Sequence, residues 1–293
     1  MLCFFHFDPS IAFAAVVAVL FFIAGALAFY QTRKFGGGPM MKVLVGSCWA
    51  EMLGYILRIV AIEDITLTNY ILTTLFILIT PIFIALIAYL VIGHILRRVG
   101  KPIKVLCKTF TAESIARFFV ASDVACFFLQ ATGGSMLAIQ DTNTQNLGKA
   151  IVVGSLVIQL AFFTAFTYIV YRVNFDEAYL CKNVLALNPV FICLWCTIIL
   201  LYIRNIYRTI EFSSGWTSYV DTNEWCFMAF ESVPILLACY TLSAFHFGRL
   251  MEFKSLEKAL WIVQVEEARV LYDQGSTKTR DTSVQIPDTL IEP

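Results

Sequence analysis

Glu51, Tyr55 and Arg58 lie four and seven residues apart, a spacing that brings all three to one face of a helix. Asp123 and Gln130 repeat the seven-residue spacing, and Arg204, Arg208 and Glu211 share another face beside Tyr207. Glu231 stands three residues ahead of Pro234, which frees a backbone carbonyl and kinks a helix. Carboxylates attract a cation, and guanidiniums hold a phosphate or balance the carboxylates. Together such groups would line a polar cavity of mixed charge. Each set also has a plainer reading. Glu51 and Arg58 would form a polar clasp between helices, and Asp123 and Gln130 a hydrogen-bonded pair between helices. Arg208 and Glu211 would snorkel to a nearby interface.

The elements that must position these residues are membrane spans. Hydrophobic residues make up 59% of the 293-residue chain and charged residues 14%, and mean hydropathy is +0.77. An ordinary soluble domain is roughly 45–50% apolar and about 25% charged. The excess calls for the hydrocarbon of a bilayer. Seven runs reach spanning length, near Ile11–Tyr30, Val43–Ile62, Tyr70–Ile95, Phe118–Ile139, Ala150–Tyr171, Val190–Tyr207 and Trp225–Phe247. The expected fold is an all-α, seven-helix membrane bundle. Arg204 interrupts the sixth run and makes it the least distinct. Alternating ten-residue segments of a β-barrel are missing.

Loop charges set the expected orientation. Arg33, Lys34 and Lys42 follow the first run, and Arg97, Arg98, Lys101, Lys104 and Lys108 follow the third. Arg249, Lys254 and Lys258 follow the seventh, whereas Glu63 and Asp64 follow the second. The positive-inside rule then places the N-terminus outside and the C-terminus in the cytosol. Met1–Ser10 lacks a basic start, so the first run reads as a retained span and not a cleaved signal peptide. Residues 1–250 form the membrane domain on this reading. Residues 251–272, with Leu256, Leu260, Val263 and Val270 on a stripe, read as a cytosolic amphipathic helix, and 273–293 as a disordered tail.

Ionisable groups inside hydrocarbon are costly and mostly face the bundle interior. At the helical rise, Arg58 and Arg204 lie roughly 24 and 22 Å from the cytosolic side, and Glu231 roughly 9 Å from the outer side. Gln130 falls in the outer half, with Glu51 and Asp123 nearer the midplane. These depths predict one polar cavity among the second, fourth, sixth and seventh spans, opening outward. Gly46, Ala50 and Gly54 form a small-residue ridge that admits a close neighbour. Gly133 and Gly134 either end the fourth helix or do the same.

At these residues the chain resembles the fungal lipid-translocating exporters of the resistance-to-aminocholesterol type, the RTA-like proteins. The resemblance runs from about Phe7 to Leu250. It rests on E-x-x-G-Y-x-x-R at Glu51, Gly54, Tyr55 and Arg58, and on D-x6-Q-x-x-G-G at Asp123, Gln130, Gly133 and Gly134. It rests also on R-x-x-Y-R-x-x-E-x-x-x-G at Arg204, Tyr207, Arg208, Glu211 and Gly215, and on Glu224, Trp225, Phe227, Glu231 and Pro234. Met228, Glu231 and Ser135 stand where the family often has tyrosine, aspartate and a third glycine. The resemblance implies seven spans with the N-terminus outside, a plasma-membrane site, and movement of sphingoid bases, sterol-like amines or related toxic amphiphiles. Some relatives are linked to porphyrin traffic.

The competing classes are a seven-span lipid sensor and an intramembrane enzyme. The D-R-Y and N-P-x-x-Y signatures of G-protein-coupled receptors are missing. His6, His94 and His246 fall outside mid-depth, so metal-dependent hydrolysis lacks ligands and the chain is not read as an enzyme. Cys193 and Cys196, a C-x-x-C without a second pair, read as small core residues among the nine cysteines. No G-x-x-x-x-G-K-[ST] loop is present, and no cofactor is expected. The zero net charge suggests no nucleic-acid partner; membrane lipids are the expected partners.

Overall fold

Inside hydrocarbon every backbone polar group must be satisfied internally, and the helix does this within one segment. The computed structural model describes residues 10–245 other than 37, 65, 100–102, 106–107, 111, 138, 140, 176–186, 215–218 and 220–222. Within these lie seven helices long and apolar enough to cross a membrane. They are α1 (Ile11–Phe35), α2 (Gly38–Glu63), α3 (Leu67–Val99), α4 (Ala112–Leu137), α5 (Thr142–Phe175), α6 (Asn188–Ser214) and α7 (Glu224–Ala244). The all-α, seven-span expectation holds, and the chain is a multi-pass membrane protein. One short antiparallel ribbon, Ile103–Val105 against Lys108–Phe110, joins α3 to α4 with Ile103 opposite Phe110. The segments 251–272 and 273–293, together with Gly215, His6 and His246, lie outside the described residues.

Most helices outrun their apolar runs because capping residues and polar flanks continue them beyond the hydrocarbon. Ser10 caps α1 by accepting the Phe13 N–H at 3.3 Å, and Gly36 ends it at φ 74° with its N–H on the Thr32 carbonyl. Asp141 accepts the Thr144 N–H at 2.9 Å and starts α5 well before its first apolar run. Arg204 does not break α6, which passes it unbroken with the side chain buried. Gly133 and Gly134 do not end α4 either. They lie inside it.

Sequence neighbours pack against one another from α1 to α7, and α7 closes back on α1. Inside this circuit α3 also touches α6 and α7, and α2 touches α7. The core is a continuous set of aliphatic and aromatic side chains from all seven spans. Gly133 and Gly148 cross at α4–α5: a Cβ on either would come within 2.8 Å of the other's carbonyl oxygen. On α2, Gly54 packs tightly on Phe76 and Ile77 of α3, whereas Gly46 meets nothing within 4 Å among the described residues. The ridge therefore acts at its Gly54 end.

Candidate functional site

Three helices bring their charges to one place. α2 presents Glu51, Tyr55 and Arg58, α6 presents Arg204 and Arg208, and α7 presents Glu231, all buried. Glu231 Oε1 accepts two bonds from Arg204, from Nη2 at 2.8 Å and from Nε at 3.1 Å, and lies 3.4 Å from Arg208 Nε. Arg208 Nη1 also donates to Glu211 at 2.9 Å. Asn205 accepts from Arg204 Nη1 at 3.4 Å. One turn nearer the bundle end where α7 begins, Arg58 lies 3.6 Å from Glu224 and sits 4.3 Å over the Phe227 ring. Both Glu224 oxygens accept the Ser10 N–H, at 3.0 and 3.1 Å, so the starts of α1 and α7 share this acid.

A local departure from the α-helix aims α7 at this cluster. Residues Met228–Ser232 form a π-turn, closed by the Val233 N–H on the Met228 carbonyl. Pro234 follows directly and has no N–H to donate. Two consecutive residues of this turn, Glu231 and Ser232, are buried. Ser232 Oγ meets the Tyr55 hydroxyl in a short hydrogen bond. Tyr55 is held by Phe21, stacked at 6.0 Å, and by the edge-on Phe13 at 6.3 Å.

Glu51 is fully buried, as is Glu231. The Thr80 hydroxyl of α3 faces it, and Glu231, Arg204 and Arg208 are its charged neighbours. Neither of its carboxyl oxygens completes a hydrogen bond among the described residues. The Thr80 hydroxyl also lies 3.5 Å from the Phe76 carbonyl of its own helix.

The α4 residues do not join this cluster. Asp123 accepts the Tyr89 hydroxyl of α3 at 2.7 Å, and Gln130 donates to Gln159 of α5 at 2.8 Å. The expectation of a single polar cavity including the fourth span is therefore corrected. α4 packs on α3 and α5, and its polar face is used up there. At α2, α6 and α7 the acids and arginines are buried in contact with one another. Beside them lies an apolar groove of about 330 Å³ between α6 and α7, lined by Ile203, Ile206, Tyr207, Ile210, Cys226 and Phe230. Tyr207 separates the two: its ring stacks on Phe230 at 5.8 Å, and its hydroxyl donates to Glu211 at 3.5 Å.

Several residues here were not among the candidates in the sequence: Ser10, Thr80, Asn205 and Ser232, while Glu224 entered only through the family pattern. Glu224 had a readable signal, an acid in the first turn of a span. Ser232 had none, since a lone serine in a span carries no mark of its partner. Cys193 is buried with its thiol 3.9 Å from the Thr241 carbonyl, and Cys196 is exposed; both are free.

Residues 44–254 match the sequence profile of a family described as RTA1 like protein. The chain belongs to that family. Among curated RTA1-like relatives, Protein RTM1 of Saccharomyces cerevisiae is 30% identical over 200 residues, covering 65% of this chain and 62% of the relative. The Protoporphyrin uptake protein 1 of the same organism is 28% identical over 201 residues, covering 67% of this chain and 65% of the relative. A Sphingoid long-chain base transporter RSB1 of that yeast is 26% identical over 245 residues, covering 68% and 61%. The chain thus spans under two thirds of the length of each of these relatives. No solved structure matches. The RTA1-like match includes every residue of the α2–α6–α7 cluster except Ser10.

Proposed function

We propose that this protein moves amphipathic lipids, with sphingoid bases, sterol-like amines and related toxic amphiphiles as the substrate class, without catalysing a covalent change. The observation that carries the reading is the pairing of two surfaces across Tyr207. On one side lies a buried cluster of acids and arginines, and on the other an apolar groove open along the bundle's flank. A tail in the groove would remain in apolar surroundings while the head exchanges partners with Glu211, Arg208 and Glu231. A volume near 330 Å³ suits the wall of such a site. The names of a sphingoid base transporter and a porphyrin uptake protein among the relatives support the same class.

The orientation read from the loop charges, with the N-terminus outside, would put the charged cluster toward the outer leaflet of a plasma membrane. Reconstitution tests the function directly. Vesicles holding the purified protein should move a labelled sphingoid long-chain base between leaflets faster than empty vesicles. Equal rates in the two would remove the transport reading. Ligand-dependent recruitment of a cytosolic partner without lipid movement would replace it with a sensor.

A further inference from the structure

The cluster holds four carboxyls, Glu51, Glu211, Glu224 and Glu231, against three guanidiniums, Arg58, Arg204 and Arg208. Three of the acids engage arginines directly. Glu224 also takes the Ser10 amide, and Glu231 takes two arginines. Glu51 alone of the four makes no ion pair and completes no hydrogen bond among the described residues, although it is fully buried. An isolated carboxylate in such surroundings costs far more than a neutral acid, and extra hydrogen bonds or a counter-cation are the usual remedies.

The surroundings of Glu51 supply little of either. From α3 comes the Thr80 hydroxyl, and from α6 come Arg204 and Arg208, whose charges Glu231 and Glu211 already engage. α7 adds Glu231, a further negative charge, and the Cys239 thiol, which meets Cys48 of α2. α2 itself adds Tyr55, bonded to Ser232. α1 faces this region with Phe21 and carries its charges, Arg33 and Lys34, at its last turn.

We propose that Glu51 is a proton-exchange site, holding a proton in the resting protein and releasing it when a cationic headgroup docks in the α2–α6–α7 cluster. The idea rests on the transport reading for its headgroup and adds to it the coupling ion. In the exchange the carboxyl O–H bond breaks and the proton leaves to water. The carboxylate so formed accepts an N–H of the entering ammonium. Charge balances, with one cation in and one out. No nucleotide is needed: a proton gradient drives lipid cation one way as protons move the other.

Two measurements on the full chain in lipid nanodiscs test this. The first is infrared difference spectroscopy of the unliganded protein across a pH titration. It should show a protonated-carboxyl band that Glu51→Gln removes and Glu51→Asp shifts. A titration in which the wild type shows no band sensitive to Glu51→Gln overturns the proposal. The second is addition of a sphingoid long-chain base in weak buffer, at a pH where its amine is charged. Wild type should release about one proton per base bound, with base occupancy measured in the same samples. Binding without proton release overturns the proposal while leaving lipid transport intact. A Glu51 band with no base binding has the opposite meaning: it removes the transport reading and leaves the proton on Glu51 in place. Should Glu51→Gln fail to fold, the wild-type stoichiometry alone decides the exchange.

Discussion

The two flanks of this bundle treat buried polarity in opposite ways. In the α3–α4–α5 flank the polar groups are completed in pairs, Tyr89 with Asp123 and Gln130 with Gln159, and the helices are drawn together where Gly133 crosses Gly148. Rings of Phe119 and Phe166 enclose Tyr89, the latter at 4.5 Å. In the α2–α6–α7 flank the polar groups are charged, shared among several partners, and incompletely satisfied at Glu51 and at Glu231 Oε2. Completed pairs lock helices at modest cost. Shared, unfinished charges are expensive inside a membrane and persist where a ligand or ion uses them. On the transport reading proposed above, the contrast gives structure to one flank and function to the other.

The strongest way to break that division is to cut the central ion pair. Arg204→Ala leaves Glu231 buried beside Arg208 alone and should lower stability by about 3–5 kcal/mol, with lipid movement falling to the level of empty vesicles. Pairing Arg204→Met with Glu231→Leu removes both charges and should recover most of that stability. Thermal unfolding of the detergent-solubilised variants and flux in vesicles separate the two effects. A double variant that folds and still transports would make the cluster a clasp and nothing more.

The reciprocal change is made at the glycine crossing. Gly148→Ala puts a Cβ 2.8 Å from the Gly133 backbone oxygen, and backbone does not swing away as a side chain would. A loss of about 1–3 kcal/mol is expected, with transport per folded molecule unchanged. Gly134→Ala, which meets nothing within 4 Å, should be neutral or slightly stabilising. Equal losses at Gly134 and Gly148 in the same unfolding assay would show that the close approach is not what matters.

Much of the charged flank could be read in advance because helical spacing is rigid. Once Glu51, Tyr55 and Arg58 lie on one helix, they share a face whatever packs there. The same holds for Arg204 and Arg208. The seven spans were legible for a similar reason, since runs of uncharged residues about 20 long have few alternatives. Which helix each face meets is a tertiary matter that no spacing records. Asp123 and Gln130 share a face as their spacing requires, yet that face points to Tyr89 and Gln159, because α4 is flanked by α3 and α5. Pro234 marked a disturbance in the last span but not its kind. The π-turn at Met228–Ser232 is a backbone departure that no residue type there announces.

Asp123→Asn probes the boundary between the flanks with a smaller change. The asparagine carbonyl keeps an acceptor for the Tyr89 hydroxyl, so the cost should stay under about 1.5 kcal/mol. Flux per folded molecule should match wild type. A folded Asp123→Asn protein that no longer moves lipid would return Asp123 to the site and erase the division.

The smallest effect is expected at Asp141, in the connection between α4 and α5. Its carboxyl is held below the usual carboxylate range, first by the Thr144 hydroxyl at 2.6 Å and then by the Thr144 N–H at 2.9 Å. Because the folded value lies below the unfolded one, the ionised cap contributes fully above the ordinary aspartate pKa of about 3.9. That contribution fades as pH falls through the depressed folded value. Asp141→Ala removes the acceptor altogether. Amide exchange at the first turn of α5 should therefore be faster in Asp141→Ala than in wild type at neutral pH. The difference should shrink in acid, where wild type loses the same charge. Transport at neutral pH should be unaffected, because a cap orders one helix end and touches none of the charged flank. A flux defect as large as that of Arg204→Ala would mean that the α4–α5 side moves during transport, and that its completed hydrogen bonds belong to the working cycle.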